Sequence, residues 1–411
     1  MNILEEIQNC PVEWKELGDK NVAKLSRGKV MSKQFLEENK GEYPVYSSQT
    51  ANNGEIGRIS SFEYDGEYIT WTTDGANAGT VFYRKGKFSI TNVCGLVEIN
   101  SAQLLTKFVY YYLTISTKKY VSSGMGNPKL MSNVMGKIKI PIPPLEIQEK
   151  IVQILDKFTD YVTELTSELT SRKKQYSYYR DKLLSFEDEV YQVEWKTLGE
   201  LFVFKNGLNK GKEFFGSGTP IVNYTDVYNN NKISSDILKG KVRVSTEEIE
   251  RYSIQKGDVF FTRTSETQEE IGKTSVLLDE VQDGVFSGFV LRARPITKLL
   301  LPEYCAYCFE STTFRKDIVR YSTYTTRALT NGSTLSKLKI PVPSLEIQSR
   351  IVQVLDNFDT VCNDLNIGLP KEIELRQKQY EYFRDKLLTF VAEGEYTDST
   401  VQYSTVQTRH H

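Results

Sequence analysis

The chain has 411 residues, 39% of them hydrophobic and 26% charged, and its formal net charge is −1. This length is typical of two or three domains, and no apolar run approaches the ~18 residues that a membrane span needs. Its two histidines, His410 and His411, are the last two residues and resemble a tag. The interior therefore offers no histidine to a Ser-His-Asp triad, a Cys-His dyad or a metal site.

The cysteines and the first residues predict a compartment. The chain has five cysteines, an odd number, and residues 1–10 contain two glutamates without an apolar core. We therefore expect free thiols, no secretory signal and a cytoplasmic location.

In chain order, the first predicted unit is an α+β module at residues 1–145. Alternating apolar and polar residues bounded by Gly, Asn and Asp predict strands at 67–71, 80–83, 88–90 and 93–99. A helix is predicted to close the module at 102–120.

The second predicted unit, residues 146–191, is one long helix that begins near Leu145. Eleven of twelve positions spaced alternately four and three residues apart, from Ile151 to Val190, are apolar. Such a heptad pattern is typical of a coiled coil, and ~45 helical residues would span about 65 Å.

The third predicted unit, residues 192–345, is a second α+β module. The predicted strands lie at 258–262, 275–278 and 286–291, and the closing helix at 302–319.

The fourth predicted unit, residues 346–391, repeats the long helix, with Ser344 as its expected N-cap. Four extra residues interrupt its heptads, and Gly368 and Pro370 lie among them. We therefore expect a kink or a short break there. The remaining residues, 392–411, are predicted to be a polar tail that is disordered or a tag.

The chain contains an internal repeat. KIKIPIPPLEIQEKIVQILDKF at 137–158 matches KLKIPVPSLEIQSRIVQVLDNF at 337–358 in 15 of 22 positions. QYSYYRDKLLSF at 175–186 matches QYEYFRDKLLTF at 379–390 in nine of 12, and VEWK occurs at both 12–15 and 193–196. The helical units are thus alike, whereas the α+β modules are unlike.

Charge is divided along the same boundaries. The two modules each have a net charge of +3, and the two helical units carry −3 and −4. Residues 99–145 and 318–345 contain no acidic residue and several Lys or Arg. Basic residues among Ser, Thr, Asn and Tyr suit a phosphate backbone, so the pattern favours nucleic-acid binding over a solvated basic face.

Several catalytic motifs can be rejected. Gly272-Lys273-Thr274 lacks the first glycine of a P-loop, because Thr267 stands there. Cys305 and Cys308 lack two further ligands for a structural zinc and are expected to be core thiols. We predict no catalytic residues and no metal site.

The two repeated blocks, present twice around unlike modules, resemble the specificity subunit of type I restriction–modification systems. The resemblance covers nearly the whole chain, and both blocks twice in this order are highly specific. It implies that residues 1–145 and 192–345 are target-recognition domains, each reading one half of a split, asymmetric DNA target. It also implies that residues 146–191 and 346–391 are antiparallel coiled-coil spacer helices, giving a pseudo-two-fold repeat.

The same resemblance implies partners. Double-stranded DNA, two modification (methyltransferase) subunits and restriction subunits would bind the chain, which would itself be non-catalytic and without cofactors. S-adenosylmethionine, ATP and Mg would belong to the partner subunits, whose complex would methylate adenine and cleave DNA.

Loop residues that suit base edges or phosphates are the candidate DNA contacts. In the first module they are Arg27, Lys29, Lys33, Gln49, Asn52, Asn53, Asn127 and Lys129. In the second they are Lys205, Asn206, Lys210, Lys212, Asn223, Tyr224, Arg263, Thr264, Ser265 and Arg327.

The far ends of the helical units are the predicted partner interface, with the residues Tyr176, Arg180, Asp181, Tyr380, Arg384 and Asp385. Two alternatives to a DNA-reading subunit stay open: a helical scaffold that binds proteins without reading DNA, and a DNA-modifying enzyme with an unrecognised active site.

Overall fold

The structure is a computed structural model that describes residues 3–122, 126–187 and 193–390, and the chain divides into two compact units. Unit 1 comprises residues 1–164 and 374–411, and unit 2 comprises residues 165–373. The division runs through both predicted spacer helices. The predicted tail at 392–411 and the predicted boundary between 191 and 192 lie outside the described residues.

The first α+β module begins with a helix that the sequence pattern did not predict, Ile3–Asn9. Its elements are α1 Ile3–Asn9, β1 Glu13–Glu16, β2 Ala23–Arg27, α2 Lys33–Glu38, β3 Lys40–Tyr46, β4 Glu55–Ile59, β5 Tyr64–Thr72, β6 Val81–Ile90, β7 Cys94–Ile99, α3 Thr106–Ser116, α4 Ser132–Met135 and β8 Lys139–Ile142. The predicted strands at 80–83 and 88–90 form one strand, β6, and Gly86 within it has a φ of +93°. The predicted helix at 102–120 is shorter and ends in a 3₁₀ turn at Thr117–Tyr120.

Helix α5 follows at Leu145–Ser185 and is 41 residues long, so it begins where the sequence predicts.

The second module also combines strands and short helices. Its elements are β9 Glu194–Thr197, α6 Leu198–Leu201, β10 Phe202–Asn206, β11 Phe215–Val222, α7 Tyr224–Asn229, β12 Lys232–Ile233, β13 Lys241–Val242, α8 Thr246–Tyr252, β14 Val259–Thr262, β15 Thr264–Ser265, β16 Thr274–Leu277, β17 Val285–Phe286, β18 Val290–Pro295, α9 Pro302–Glu310, α10 Thr312–Tyr321, β19 Thr323–Tyr324, β20 Ala328–Leu329, α11 Gly332–Leu335 and β21 Lys339–Val342. The predicted helix at 302–319 is two helices, because Ser311 ends the first and its hydroxyl accepts a hydrogen bond from Phe314 N in the second.

The last helical unit is broken, as predicted. Helix α12 covers Leu345–Asn363 and helix α13 covers Leu369–Leu387. Ser344 caps α12 by accepting from Ile347 N at 3.4 Å. Pro370 lies in the first turn of α13, where its missing N–H leaves no hydrogen bond unmade.

Both modules contain the same four-stranded antiparallel core. The order is β2-β7-β5-β6 in unit 1, extended by β3 and β4, and β10-β18-β14-β16 in unit 2, extended by β12. Strand β3 runs parallel to β6 through Tyr46 and Ile90, and β11 runs parallel to β17 through Val222 and Phe286. The unlike sequences of the two modules therefore share a topology.

The VEWK repeat has a structural counterpart in each unit. Strand β1 pairs with β8 and places Trp14 opposite Pro141, while β9 pairs with β21 and places Trp195 opposite Pro341. Proline is tolerated within this two-stranded ribbon because every strand there is an edge.

The long helices pack antiparallel within each unit. In unit 1, Phe158 of α5 stacks on Phe383 of α13 at 5.5 Å between ring centroids, and Arg376 lies over the ring of Tyr161. In unit 2, Tyr179 stacks on Phe358 at 5.6 Å between centroids. Both pairs occupy seam positions, so the heptad pattern corresponds to a real interface between helices.

Four of the five cysteines are core residues. Cys94, Cys305, Cys308 and Cys362 are free thiols with buried side chains, which confirms the prediction for the two in α9. Burial raises the pKa of the Cys308 thiol to about 12. Within the described ranges, no group of three His, Cys, Asp or Glu side chains could hold a metal ion. No helix there is long and apolar enough to cross a bilayer.

Candidate nucleic-acid interface

A three-residue connection after β6 gathers several loops of unit 1. Thr91 N donates to Tyr46 O at 2.9 Å, and Asn92 N donates to Lys29 O at 3.0 Å. Val93 O accepts from Thr73 N at 3.3 Å. The backbone segments that end or follow β2, β3 and β5 are therefore all hydrogen-bonded to this one connection.

The equivalent connection in unit 2 makes the same hydrogen bonds. Ser287 N donates to Val222 O at 2.9 Å, Gly288 N donates to Leu208 O at 2.7 Å, and Phe289 O accepts from Arg263 N at 3.3 Å. A fourth pair also matches, because Leu130 N donates to Thr73 O and Thr330 N donates to Arg263 O, both at 3.0 Å.

These four backbone bonds form a common frame that carries different side chains in the two units. We call the loops around it the unit-1 loop surface (residues 26–29, 47–54, 73–80, 91–93 and 126–131) and the unit-2 loop surface (residues 206–212, 223–225, 263–267, 287–289 and 325–330).

The frame brings together most candidate residues of unit 1. Arg27 is exposed and its guanidinium contacts Met131 Sδ at 3.1 Å. Lys29 pairs with Glu63 at 2.8 Å. Lys129 lies opposite Asp74 in a β-bridge, and Asn127 is an exposed neighbour in the same loop.

Loop 47–54 presents two amides on a strained backbone. Asn52 and Asn53 have φ of +50° and +54°, the left-handed region that asparagine tolerates better than most residues. Gln49 Nε2 donates to Glu55 O at 2.7 Å, so its amide braces the loop. Lys33 lies outside the loop surface, on α2, which packs against β4.

Arg84 was missed by the sequence analysis. It is only 6% exposed, and its guanidinium lies 3.5 Å from the ring centroid of Tyr46. Its Nη2 donates to Asn53 O at 2.7 Å and its Nε donates to Thr70 Oγ1 at 3.0 Å. Desolvation lowers the pKa of Arg84. In β6, Lys85 and Lys87 follow Arg84, so residue types alone did not mark Arg84 as the buried cation.

Loop 73–80 is a second feature that the sequence analysis missed. Asn77 Nδ2 donates to Thr50 Oγ1 at 3.2 Å, and Lys118 Nζ donates to Ala78 O at 3.0 Å. Among the described residues, Asp74 Oδ1 is buried without a hydrogen-bond partner. This loop therefore links the asparagine loop to the basic end of α3.

Two of the four candidate residues in and after β10 make contacts within unit 2. The ammonium of Lys205 contacts Arg251 O, and desolvation lowers its pKa. Lys210 pairs with Glu248 at 2.8 Å. Asn206 and Lys212 are exposed.

Asn223 and Tyr224 begin helix α7. Asn223 is the N-cap, with its backbone N–H donating to Asp226 Oδ2 at 2.8 Å. The Tyr224 ring stacks on Tyr228 at 5.6 Å between centroids. These two candidates are partly structural, since they form the start of the helix.

Arg263 lies at the centre of the unit-2 loop surface. Its Nη1 donates to Gly288 O at 3.0 Å, and its Nε is buried with no partner in the part of the chain that the structure describes. Thr264 and Ser265 form β15, which pairs with β20 so that Ser265 lies opposite Ala328, next to the exposed Arg327.

Phe289 is an exposed apolar residue that the sequence analysis missed. It is 70% exposed, although its backbone is fixed by Arg263 and by the Ser287 hydroxyl, which accepts from Phe289 N at 3.3 Å. Inside the predicted strand 286–291 it would have been a core position. The split between β17 and β18 places it in a loop.

The residues of the predicted partner interface make contacts within the chain. Tyr176 is 6% exposed and belongs to a buried cluster, so it is a seam residue. Asp181 accepts from Thr312 N at 3.0 Å and pairs with Arg180. Asp181 and Arg180 are thus both engaged within unit 2.

The second copy of this block behaves similarly in unit 1. Tyr380 packs against the core, and Arg384 pairs with Asp385 at 2.8 Å. The most exposed aromatic residues of the two blocks are Tyr178 and Tyr382, which lie at matching positions and are each 60% exposed.

Comparisons with known proteins agree with this architecture. The family model of the type I restriction modification DNA specificity domain matches residues 11–172 and again residues 192–375. A type I specificity subunit of Mycoplasma pneumoniae is 31% identical over 383 residues, covering 90% of this chain and 96% of that protein. The specificity subunit of the type I restriction enzyme EcoR124I/EcoR124II of Escherichia coli is 35% identical over 328 residues, covering 77% of this chain and 78% of that protein.

The solved S subunit of the type I restriction–modification system of M. genitalium has the same fold. It aligns with a TM-score of 0.56 at 16% identity, covering 93% of this chain and 98% of its own. The chain therefore belongs to the family of type I restriction–modification DNA specificity subunits.

Proposed function

We propose that the two loop surfaces read the two halves of a split DNA target, one half each. The observation that carries this proposal is the common backbone frame with unlike side chains. After β5 and β14, the equivalent positions of the frame hold Thr73 and Arg263. In the three-residue connections 91–93 and 287–289 they hold Val93 and Phe289. One frame would present each surface to a groove in the same manner, while different side chains would select different bases.

The candidate base contacts are the groups with suitable donors or acceptors. Asn52 and Asn53 suit adenine, and Arg27 and Arg263 suit guanine, as bidentate partners. The exposed lysines, including Lys129 and Lys212, suit phosphates and would contribute affinity without sequence information.

The chain would not catalyse a reaction in this proposal. Two methyltransferase subunits would bind S-adenosylmethionine and methylate adenine, and restriction subunits would use ATP and Mg. The recognition domains would be residues 1–145 and 192–345, with spacers at 146–191 and 346–391. The assembly would work in the cytoplasm, where its DNA lies.

We assign the partner interface to the duplicated, exposed tyrosines. Tyr178 and Tyr382 lie at the same place in two nearly identical blocks, so two copies of one partner could bind alike. Tyrosine is enriched in protein interfaces because it supplies apolar area and a hydroxyl.

The experiment is fluorescence anisotropy of the full chain, alone and bound to its methyltransferase subunit, with duplex DNA at several salt concentrations. DNA reading predicts affinity that falls steeply with salt and a site-containing duplex that competes better than unrelated DNA. A protein-binding scaffold predicts no DNA binding. Transfer of radioactive methyl groups by the chain alone would indicate the enzyme alternative.

A further inference from the structure

The repeated LEIQ sequence places a buried glutamine in the first turn of each long helix. Gln148 in α5 is 0% exposed. Its Oε1 accepts from Leu105 N at 2.9 Å, and its Nε2 donates to Gln103 O and Pro143 O, both at 2.8 Å. The side chain thus bonds the segment just before helix α3 of the recognition domain.

Gln348 in α12 makes the same three bonds in unit 2. It too is 0% exposed. Leu301 N donates to its Oε1 at 2.9 Å, and its Nε2 donates to Leu299 O at 2.7 Å and to Pro343 O at 2.8 Å. Both bonded segments precede the closing helix of their domain.

A second attachment lies eight residues further along each long helix. In unit 1 the carboxylate of Asp156 accepts from Tyr111 OH at 2.6 Å and from Lys107 Nζ at 2.7 Å. This attachment joins α5 to α3, with which Gln148 is already linked.

Asp356 makes the equivalent attachment in unit 2. It accepts from the Tyr307 hydroxyl and from Lys232 Nζ, the latter at 2.7 Å. The lysine comes from β12 here, whereas in unit 1 it comes from α3. The same network is therefore built from different elements in two domains that otherwise differ in sequence.

Two attachments on one helix restrict orientation more than one. Eight helical residues separate them by about 12 Å, so a domain held at both points cannot pivot about either. Removing a buried glutamine would leave the N–H of Leu105 or Leu301 and two carbonyls without their hydrogen-bond partner, which is unfavourable in a buried site. Apolar contacts would join the domain to the helix as well, but would not select one angle, because they lack direction.

We propose that Gln148 with Asp156, and Gln348 with Asp356, are positioning residues that fix each recognition domain at one angle on its long helix and thereby set the number of base pairs between the half-sites. This inference rests on the proposed reading of a split target. It gives the repeated LEIQ sequence, whose glutamines are buried, a role other than contact with DNA bases.

The test uses the complex of the full chain with its methyltransferase subunit and a library of duplexes. Each duplex carries both half-sites, mapped beforehand with the wild type, separated by zero to twelve base pairs. The variants are Gln148→Met, which keeps the length of the side chain without its hydrogen bonds, and Asp156→Asn, a milder change at a partly exposed position. Gln153→Met is the matched control, because Gln153 is exposed on the same helix.

We expect the wild type and Gln153→Met to methylate one spacer length. Gln148→Met should widen the profile, so that neighbouring lengths rise to within about tenfold of the best one, with the half-site sequences unchanged. Asp156→Asn should widen it less and would carry the test alone if Gln148→Met does not fold. A folded variant with the wild-type profile would overturn the inference, whereas a wild type that methylates no split site would overturn the proposed function instead.

Discussion

The guanidinium of Arg84 donates a hydrogen bond to the carbonyl oxygen of Asn53, with 2.7 Å between Nη2 and O. One of the most buried cations of unit 1 thus supports an exposed loop whose two asparagines have left-handed backbones. Because Arg84 is buried and bonds the backbone of this loop, it would affect DNA reading through the loop and without touching DNA.

Replacing Arg84 with Met should therefore weaken reading by unit 1 alone. Loss of the bond leaves Asn53 O without its charged donor, and we expect about tenfold weaker binding to the unit-1 half-site, equivalent to about 1.4 kcal/mol. Anisotropy on duplexes with one half-site scrambled measures each half separately. Arg58→Met is the control, since Arg58 forms an exposed pair with Glu55, which contributes little. Equal loss on both halves would show a global effect.

Replacing Arg263 with Ala should weaken DNA reading by unit 2 alone. Arg263 belongs to the unit-2 loop surface and donates to Gly288 O, so its loss should lower affinity for the unit-2 half-site by about tenfold or more, in line with one lost bidentate contact. The unit-1 half-site should bind normally. An equal loss on unrelated DNA would mean that Arg263 contacts phosphate.

Phe289 should contact the methyl group of a thymine in the unit-2 half-site. Apolar side chains recognise this methyl in the major groove, and Phe289 is an exposed apolar side chain amid polar loops. Replacing each thymine in turn with deoxyuridine should weaken wild-type binding at one position, and the same replacement should have no further effect on Phe289→Ala. Phe289→Leu should keep the discrimination. Additive losses at every position would contradict the contact.

A duplication of residues 167–170 in α5 should lengthen the spacer preference. Four helical residues add about 6 Å, close to two base pairs, and would match the four extra residues of the other helical unit. Methylation of the spacer library should shift to longer separations, with both half-sequences retained. The exposed substitution Ser167→Ala should leave the profile unchanged. An unaltered profile in the duplication variant would refute the spacer role.

Stability should depend on pH through Glu310. Desolvation raises the pKa of Glu310, against a hydrogen bond from Asn231 and the nearby charge of Arg180. The folded state thus favours the neutral acid, so its contribution to stability is greatest at low pH and is lost as pH rises through the raised pKa. Glu310→Gln should raise Tm by roughly 1–3 °C at pH 8, and the difference should shrink towards pH 5. The exposed control Glu250→Gln should not change Tm, and a lower Tm for Glu310→Gln at pH 8 would refute the assignment.

The sequence predicted the features that depend on periodicity and repetition. Helix α5 begins at Leu145 and the second helix breaks before Leu369, because proline, glycine and heptad spacing act locally. The sheet order was not predictable, since strand pairing joins residues as distant as Arg27 and Gly95.

The candidate site was only partly predictable for a related reason. Its frame consists of backbone hydrogen bonds, which leave no trace in residue types. Residues with a polar group in a loop, such as Asn53 and Arg263, were found, whereas Arg84 and Phe289 were missed. An arginine in a strand normally points to solvent and a phenylalanine to the core. Tertiary contacts instead bury Arg84, and a loop position exposes Phe289.

The most direct test of two unlike readers is a single-molecule methylation map of DNA from cells that express the chain with its methyltransferase subunit. The account predicts one motif of two different half-sequences separated by a fixed number of unspecified base pairs. In cells with Arg263→Ala, only one half should lose stringency. A continuous or palindromic motif, or a variant that relaxes both halves together, would contradict it.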